Sequence, residues 1–182
     1  MTLEDALLYA VNAHRGQLRD GASPLPYVTH PVEVVANLRY VGRITDEDVL
    51  AAGFLHDVLE ETSASPPDIE SKFGRRVRDL VESVTRREPT TQETARLNAD
   101  EIYALRSKML LDEIAAMSPE SQVIKLADRL SNVVGMHAAR DGNKLARYVE
   151  QTRTMLGIIP EELNPSLWNA VRRAAGLKKR EI

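Results

Sequence analysis

Four ionisable side chains fall within six residues of one apolar stretch, namely His56, Asp57, Glu60 and Glu61. At about 100° per helical residue, they would occupy less than half of the circumference of a helix. Gly53 would lie on the same side and leave room for a group to approach the backbone. Because unpaired charge is costly in a core, a bound cation would stabilise such a face. An adjacent His-Asp pair alone is a weak signal for a metal, so a metal site here needs further ligands from elsewhere in the chain.

Two other segments carry polar residues that could complete this site. His30 follows a loop at a predicted helix start, although a single histidine is more often a structural imidazole. Asp128 interrupts a strongly apolar helix. Three more polar side chains share its face, Lys125, Arg129 and Asn132. Asp128 is thus either a metal ligand with cationic neighbours or an ordinary helix residue that Lys125 and Arg129 neutralise.

Composition narrows the classes of protein that need to be considered. A chain of 182 residues with 43% apolar and 28% charged residues is typical of a single globular domain. The net charge of -3 does not favour nucleic-acid binding, so an anionic ligand needs a local basic patch. The absence of cysteine excludes thiolate metal sites and cysteine nucleophiles. An acidic N-terminus and the lack of a long apolar run predict a cytoplasmic protein without a membrane span.

Apolar residues at helical spacing predict an all-α protein without strands or internal repeats. The predicted helices are 3–17, 29–42, 46–62, 67–73, 75–85, 100–117, 119–138, 142–157 and 165–175. The polar segment 86–97 is predicted to be a mobile loop over one face. We expect a single domain over residues 1–182, with a basic tail at 177–182 in which Lys178, Lys179 and Arg180 are solvated.

In their order, these segments resemble the HD metal phosphohydrolase superfamily. More narrowly, they resemble the hydrolase domain of Rel/SpoT enzymes and the stand-alone small alarmone hydrolases. The matching segments are 13–21, 26–31, 52–62, 73–85 and 125–132. The resemblance implies a single HD-domain bundle of about ten helices with one divalent metal, usually manganese. It also implies hydrolysis of (p)ppGpp or (p)ppApp to pyrophosphate and the nucleoside 5′-di- or triphosphate.

The resemblance also assigns roles to residues of the site. The implied metal ligands are His30, His56, Asp57 and Asp128. Two imidazoles and two carboxylates suit a borderline divalent ion and leave positions for water and a phosphate oxygen. The catalytic Glu-Asp pair of the family falls on Glu60 and Glu61, which would handle the protons of the attacking water and the leaving 3′-oxygen. Glu61 replaces the aspartate of the family, and a carboxylate displaced by about an ångström can cost ~10²-fold in rate.

Substrate contacts are implied at six positions, Arg19, Lys108, Lys125, Arg129, Asn132 and Tyr148. The planar guanidinium of Arg19 suits stacking on a base. Asn132 matches a contact to ribose or base, and Tyr148 matches a tyrosine beside the substrate. The lysines and Arg129 are candidate phosphate partners, with a salt bridge to the metal carboxylates as the alternative for Lys125 and Arg129. The segment 20–26 differs from that of relatives, which leaves guanine and adenine both open.

Three functions are compatible with these features. The first is the alarmone 3′-pyrophosphohydrolase, and the second is a phosphatase acting on another 3′- or 2′-phosphorylated nucleotide such as NADPH. The third is a non-catalytic alarmone-binding module, in which the change at Glu61 has ended turnover. All three predict an anionic nucleotide as the partner, with no nucleic acid and no membrane, whereas the oligomeric state is not predicted.

Overall fold

The computed structural model describes residues 2–19, 24–139, 142–179 and 182, without the side chains of 136–139, and it is all-α as predicted. The α-helices are α1 (Leu3–Ala13), α2 (Thr29–Ala36), α3 (Glu47–Leu55), α4 (Val58–Glu61), α5 (Pro66–Phe73), α6 (Arg75–Val84), α7 (Thr91–Thr94), α8 (Ala99–Ala116), α9 (Pro119–Ala139), α10 (Gly142–Ile158) and α11 (Pro165–Ala174). A π-helical turn, Asn37–Val41, extends α2, and a 3₁₀ turn, Glu161–Leu163, precedes α11. No helix in these ranges is both long and apolar enough to cross a membrane.

Helices α3 and α9 form the centre of the bundle. Every residue of α3 from Val49 to Leu55 is buried, and this helix packs against α1, α2 and α6. Helix α9 is buried from Val123 to Ala127 and packs against α2, α6 and α11. Because α2 also packs on both of them, the start of α2, the end of α3 and the middle of α9 meet inside the protein. His30, His56 and Asp128 come together at this junction.

Arg76 on α6 holds the outer ends of the two central helices in place. Asp46 begins α3 as its N-cap and accepts the backbone N–H groups of Asp48 and Val49. The Arg76 guanidinium lies 2.8 Å from Asp46, 2.9 Å from Asp48 and 2.7 Å from Glu120 at the start of α9. These pairs are partly exposed, so each contributes about 0–1 kcal/mol to stability. Their main consequence is to fix the position of α3 relative to α9.

The stretch from Gly53 to Glu61 is not the continuous helix that was predicted. Helix α3 ends at Leu55, and α4 begins at Val58 after a turn at His56 and Asp57. The Gly53 carbonyl, which would accept the Asp57 N–H in a continuous α-helix, accepts the Nδ1–H of His56 at 2.9 Å. The break directs His56 and Asp57 towards one centre.

Gly53 does not open a space for a ligand, which corrects the second expectation for this stretch. A Cβ atom at this position would lie 2.7 Å from Leu38 Cδ1 and 3.2 Å from Val35 Cγ2. The missing side chain therefore allows close packing of α3 against the end of α2 and the π-helical turn.

Gly53→Ala should lower the free energy of unfolding by about 1–3 kcal/mol because the added methyl overpacks a buried contact. Urea unfolding at equilibrium measures this change. Gly157→Ala is the matched control, since a Cβ there has no heavy atom within 4 Å. It lies in α10 and should be stabilising by about 0.5–1 kcal/mol. Equal effects of both substitutions would contradict the packing role of Gly53.

Other differences from the predicted elements lie at their ends. Helix α1 ends at Ala13, four residues before the predicted 17, and the chain turns at Gly16 with a φ of 82°. The segment after α6 contains the one-turn helix α7. Leu177, at the start of the predicted basic tail, is buried in the core, whereas Lys178 and Lys179 are exposed and Lys179 pairs with Glu161 at 2.7 Å. Residues 180 and 181 of that tail lie outside the described residues.

Candidate metal centre and substrate cavity

The four predicted metal ligands meet at one buried centre. The Nε2 atoms of His30 and His56 lie 3.2 Å apart. Asp57 places one carboxylate oxygen 3.1 Å from the His56 Nε2 and the other 3.4 Å from the His30 Nε2. Asp128 Oδ1 lies 3.3 Å from the His30 Nε2 and 3.8 Å from the His56 Nε2. His30, His56 and Asp128 therefore place one donor atom each within 4.8 Å of one another, and the Asp57 carboxylate lies beside both histidines.

Hydrogen bonds on the outer side of each imidazole fix which ring nitrogen carries the proton. His56 donates its Nδ1–H to the Gly53 carbonyl. Ser131 donates its hydroxyl to Glu33 at 2.6 Å, so it can only accept from the Nδ1–H of His30 at 2.9 Å. In the neutral rings, both Nε2 lone pairs therefore point at each other. This arrangement requires a cation or a proton between the rings, and such outer partners are typical of histidines that ligate metals.

The protonation of these groups shows the same need for positive charge. Burial disfavours a charged His30, but hydrogen bonds to Asp128 and Asp57 outweigh it and raise the pKa of His30 to about 9. Burial would also raise the pKa values of Asp57 and Asp128. The charges of the nearby histidines, with Lys125 in the case of Asp128, outweigh burial and hold both pKa values well below the usual range. The ionised carboxylates and lone-pair nitrogens fit a borderline divalent metal ion.

Tyr27 is part of this centre, although the sequence analysis did not assign it a role. Its hydroxyl donates to Asp57 Oδ2 at 2.7 Å, and its ring packs on the ring of His14 at 4.6 Å. Burial and the charge of Asp57 raise the pKa of Tyr27, so the phenol stays protonated and orients the carboxylate. Tyr27 lies within the matching segment 26–31, so the family resemblance also points to this residue.

Two neighbours on α9 contact the Asp128 carboxylate, and Arg129 does not. Lys125 Nζ lies 2.9 Å from Asp128 Oδ2, and the Asn132 amide donates to Asp128 Oδ1 at 2.6 Å. Arg129 instead donates to Gln151 at 2.9 Å, and its guanidinium lies 4.3 Å from the centre of the Tyr148 ring. Of the two residues predicted either to bind phosphate or to form a salt bridge to a metal-ligating carboxylate, only Lys125 forms that salt bridge. Lys125 also lines the cavity.

A cavity of about 490 Å³ opens from the metal ligands towards α8 and α10. Three of the four predicted ligands line it, and His56 does not. Both residues of the predicted catalytic pair and four of the six predicted substrate contacts also line it. The lining residues with these assignments are His30, Asp57, Asp128, Glu60, Glu61, Lys125, Arg129, Asn132 and Tyr148. This volume suits a ligand of nucleotide size.

The two acids of the predicted catalytic pair have different environments. Glu60 is partly buried, and its Oε1 accepts the backbone N–H of Arg86 at 2.6 Å. Burial raises the pKa of Glu60 above that of an ordinary glutamate, which suits a group that takes up a proton. Glu61 is exposed, and its backbone carbonyl accepts the side-chain amide of Gln17 at 2.6 Å. Glu60 is therefore held in place, whereas the Glu61 carboxylate has no hydrogen bond or ion pair with another described residue.

The structure does not bring Arg19 and Lys108 into the lining of this cavity. Arg19 pairs with Glu33 at 2.8 Å and thereby connects to Ser131 and His30. The segment after it, predicted to influence base preference, lies largely outside the described residues, from 20 to 23. Lys108 pairs with Asp112 along α8 and lines a separate groove between α8 and α10.

Several cavity residues were missed because they lie on elements that the sequence did not connect to the site. They are Arg86, Tyr103, Arg106, Ser107, Leu110 and Gln151. Arg86 belongs to the segment predicted to be a mobile loop, and its backbone hydrogen bond to Glu60 anchors the start of that segment. The pattern of α8 and α10 predicts helices but does not show which face points at the metal centre.

Two histidines and two aspartates beneath a polar cavity, in an all-α bundle, are the arrangement expected of an HD domain. The HD domain family (HD_4) matches residues 6–157, and the chain belongs to this family. It is 38% identical over 129 residues to the guanosine-3′,5′-bis(diphosphate) 3′-pyrophosphohydrolase MESH1 of Drosophila melanogaster. The match covers 71% of this chain and 66% of that protein. The human MESH1 is 34% identical over 131 residues, covering 72% of this chain and 67% of the relative. The chain thus spans about two thirds of the length of these relatives.

A longer relative and a solved structure show the same similarity. The Brucella melitensis GTP pyrophosphokinase rsh is 32% identical, and the match covers 93% of this chain but 24% of that protein. The solved structure, described as a metazoan ortholog of SpoT that hydrolyses ppGpp, has a TM-score of 0.81 and 30% identity. The match covers 97% of this chain and 96% of that one.

Proposed function

We propose that this chain is a metal-dependent 3′-pyrophosphohydrolase of nucleotide alarmones, (p)ppGpp and/or (p)ppApp, which releases pyrophosphate. The observation that carries this proposal is the direct opening of the centre at His30, Asp57 and Asp128 into a cavity of nucleotide size with Glu60 in its wall. Support also comes from the relatives, since MESH1 is named as a hydrolase of guanosine-3′,5′-bis(diphosphate). Action as one hydrolase domain over residues 1–182 and cytoplasmic localisation remain predictions.

The proposed ligands of the metal are His30, His56, Asp57 and Asp128, and the proposed ion is Mn²⁺, which accepts mixed nitrogen and oxygen donors. When bound, such an ion polarises a phosphoryl oxygen and lowers the pKa of its water. Glu60, held by the Arg86 N–H, takes the proton of the attacking water. Glu61 supplies a proton to the leaving 3′-oxygen.

The side chains of α9 and α10 bind the nucleotide in this proposal. Lys125 and Arg129 lie at the cavity wall and balance the charge of the 3′-diphosphate. Asn132 and Tyr148 contact the ribose or base. Arg19 and Lys108 stay predictions as substrate contacts, Arg19 for stacking on the base and Lys108 for a phosphate.

Product analysis of a nucleotide panel tests the proposed function. Protein loaded with Mn²⁺ is incubated with ppGpp, ppApp and NADPH, and the products are separated by ion-exchange chromatography. We expect pyrophosphate in equal amount to GDP or ADP. Orthophosphate from NADPH without pyrophosphate from either alarmone would favour the phosphatase alternative. Tight binding of an alarmone that stays intact after long incubation would favour the binding module.

Glu61→Asp should raise kcat by about tenfold because it restores the shorter carboxylate of the family at a step that is sensitive to ångström displacements. Steady-state kinetics with the preferred alarmone measures this change. Glu61→Gln is the control that keeps the length and removes the proton donor, and it should lower kcat. A change in KM with kcat unaffected would contradict a role of Glu61 in the chemical step.

A further inference from the structure

Two arginines of the cavity wall share one carboxylate. Arg86 follows α6 and Arg106 lies on α8, and both line the cavity. Glu88 lies between them, with Oε1 2.8 Å from Arg86 Nη2 and Oε2 2.8 Å from Arg106 Nε. Each oxygen of the carboxylate thus faces a different guanidinium. This geometry also suits a phosphate group, because guanidinium groups bind both anions through parallel N–H groups.

Two hydrogen-bond donors near this pair have no acceptor. The Nε of Arg86 and the hydroxyl of Tyr103 are shielded from solvent and have no hydrogen-bond partner among the described residues. Both residues line the cavity. A buried donor without an acceptor is costly, and such groups are rare in folded proteins. An anion in this part of the cavity would supply the missing acceptors.

The remaining cations of the cavity wall are engaged with partners that also line it. Lys125 pairs with Asp128, and Arg129 contacts Gln151 and Tyr148. Arg106 differs, because its partner Glu88 is not part of the lining and has a side chain that is 47% exposed. Arg86 pairs with Glu88 at 2.8 Å, and its guanidinium also lies 3.7 Å from Oε2 of Glu60 in the cavity wall. A carboxylate on an exposed segment can withdraw into solvent when a more highly charged anion arrives.

We propose that Arg86, Arg106 and Tyr103 form a second anion subsite, which binds the 5′-phosphates of the nucleotide, and that Glu88 occupies it until the nucleotide displaces it. This inference rests on the proposed function, since a substrate phosphorylated at its 3′ and 5′ positions needs two anion sites. The metal centre serves the 3′-diphosphate, and the arginine pair serves the other end. Glu88 acts as an internal competitor that weakens the binding of nucleotides with few 5′-phosphates.

Calorimetric binding of GDP, GMP and guanosine tests the subsite without any turnover. Arg106→Gln should weaken GDP binding by roughly tenfold, as expected for one lost charged contact, and should not change guanosine binding. Glu88→Gln should strengthen GDP binding, because it removes the competing charge. Arg87→Gln is the matched control, since Arg87 pairs with Glu93 at 3.0 Å and does not line the cavity.

Two results would overturn the subsite. One is an unchanged affinity for GDP in Arg106→Gln, and the other is weaker GDP binding in Glu88→Gln, as a purely structural bridge would give. Thermal unfolding of each variant establishes that it is folded. A failure of the proposed hydrolysis is distinguishable, because pyrophosphate release would then be absent while GDP binding still responds to these substitutions. With hydrolysis intact, Arg106→Gln should raise KM for ppGpp and leave kcat unchanged.

Discussion

Asp128→Ala is expected to abolish both metal binding and pyrophosphate release. Its carboxylate lies within 3.8 Å of the Nε2 atoms of His30 and His56, so its loss removes one of four converging donors. The substitution also leaves the buried Lys125 without its partner, which costs about 3–5 kcal/mol of stability. Metal content by mass spectrometry and pyrophosphate release are measured on the same sample, with circular dichroism as the test of folding.

Two further variants keep this prediction independent of folding. Asp128→Asn preserves the shape of the side chain and should also lose metal, because an amide is a poorer ligand than a carboxylate. Asp79→Ala removes an exposed acid from α6, where it pairs with Arg78, and should change neither metal content nor activity. Full activity of a folded Asp128→Ala protein would contradict a metal centre with these four ligands.

Glu60→Gln should retain the metal and lose turnover. Glutamine can still accept the Arg86 N–H that Glu60 Oε1 accepts at 2.6 Å, so the local structure is preserved. It cannot take a proton, and the loss of a positioned general base lowers kcat by about 10²–10⁴-fold. Single-turnover kinetics with excess enzyme separates this step from product release.

The KM and the metal content of Glu60→Gln distinguish a role in proton transfer from one in binding. Both should stay close to those of the unaltered protein, because Glu60 is not among the converging donors. Loss of the metal ion would indicate that Glu60 is a metal ligand. An unchanged kcat would indicate that another residue is the general base. Glu82→Gln on the exposed face of α6, where Glu82 pairs with Arg78, serves as the charge-matched control.

The all-α fold could be predicted because apolar spacing repeats locally in each helix. The amphipathic pattern of Val77, Leu80, Val81 and Val84 predicted α6 to within one residue, and all four side chains are buried. The break at His56 could not be predicted from spacing. It depends on a hydrogen bond from the His56 ring to the Gly53 carbonyl, which competes with the backbone bond of a continuous helix.

Residue types and the family resemblance together led to the metal centre, because buried ionisable groups need partners. They did not lead to the opposite wall of the cavity. Arg106 lies on α8, whose long polar surface gives no sign of which residues face the centre, and Arg86 is positioned by a contact to Glu60 across 26 residues. The position of Arg106 depends on how α8 packs against α10, and the apolar spacing within each helix does not specify this packing.

Titration of metal-free protein with Mn²⁺, with pyrophosphate release from ppGpp measured at each addition, tests the central claim most directly. A single centre formed by His30, His56, Asp57 and Asp128 predicts activity that rises from zero and saturates at one equivalent of Mn²⁺ per chain. Pyrophosphate release without added metal, or a product other than pyrophosphate at saturation, would contradict the account.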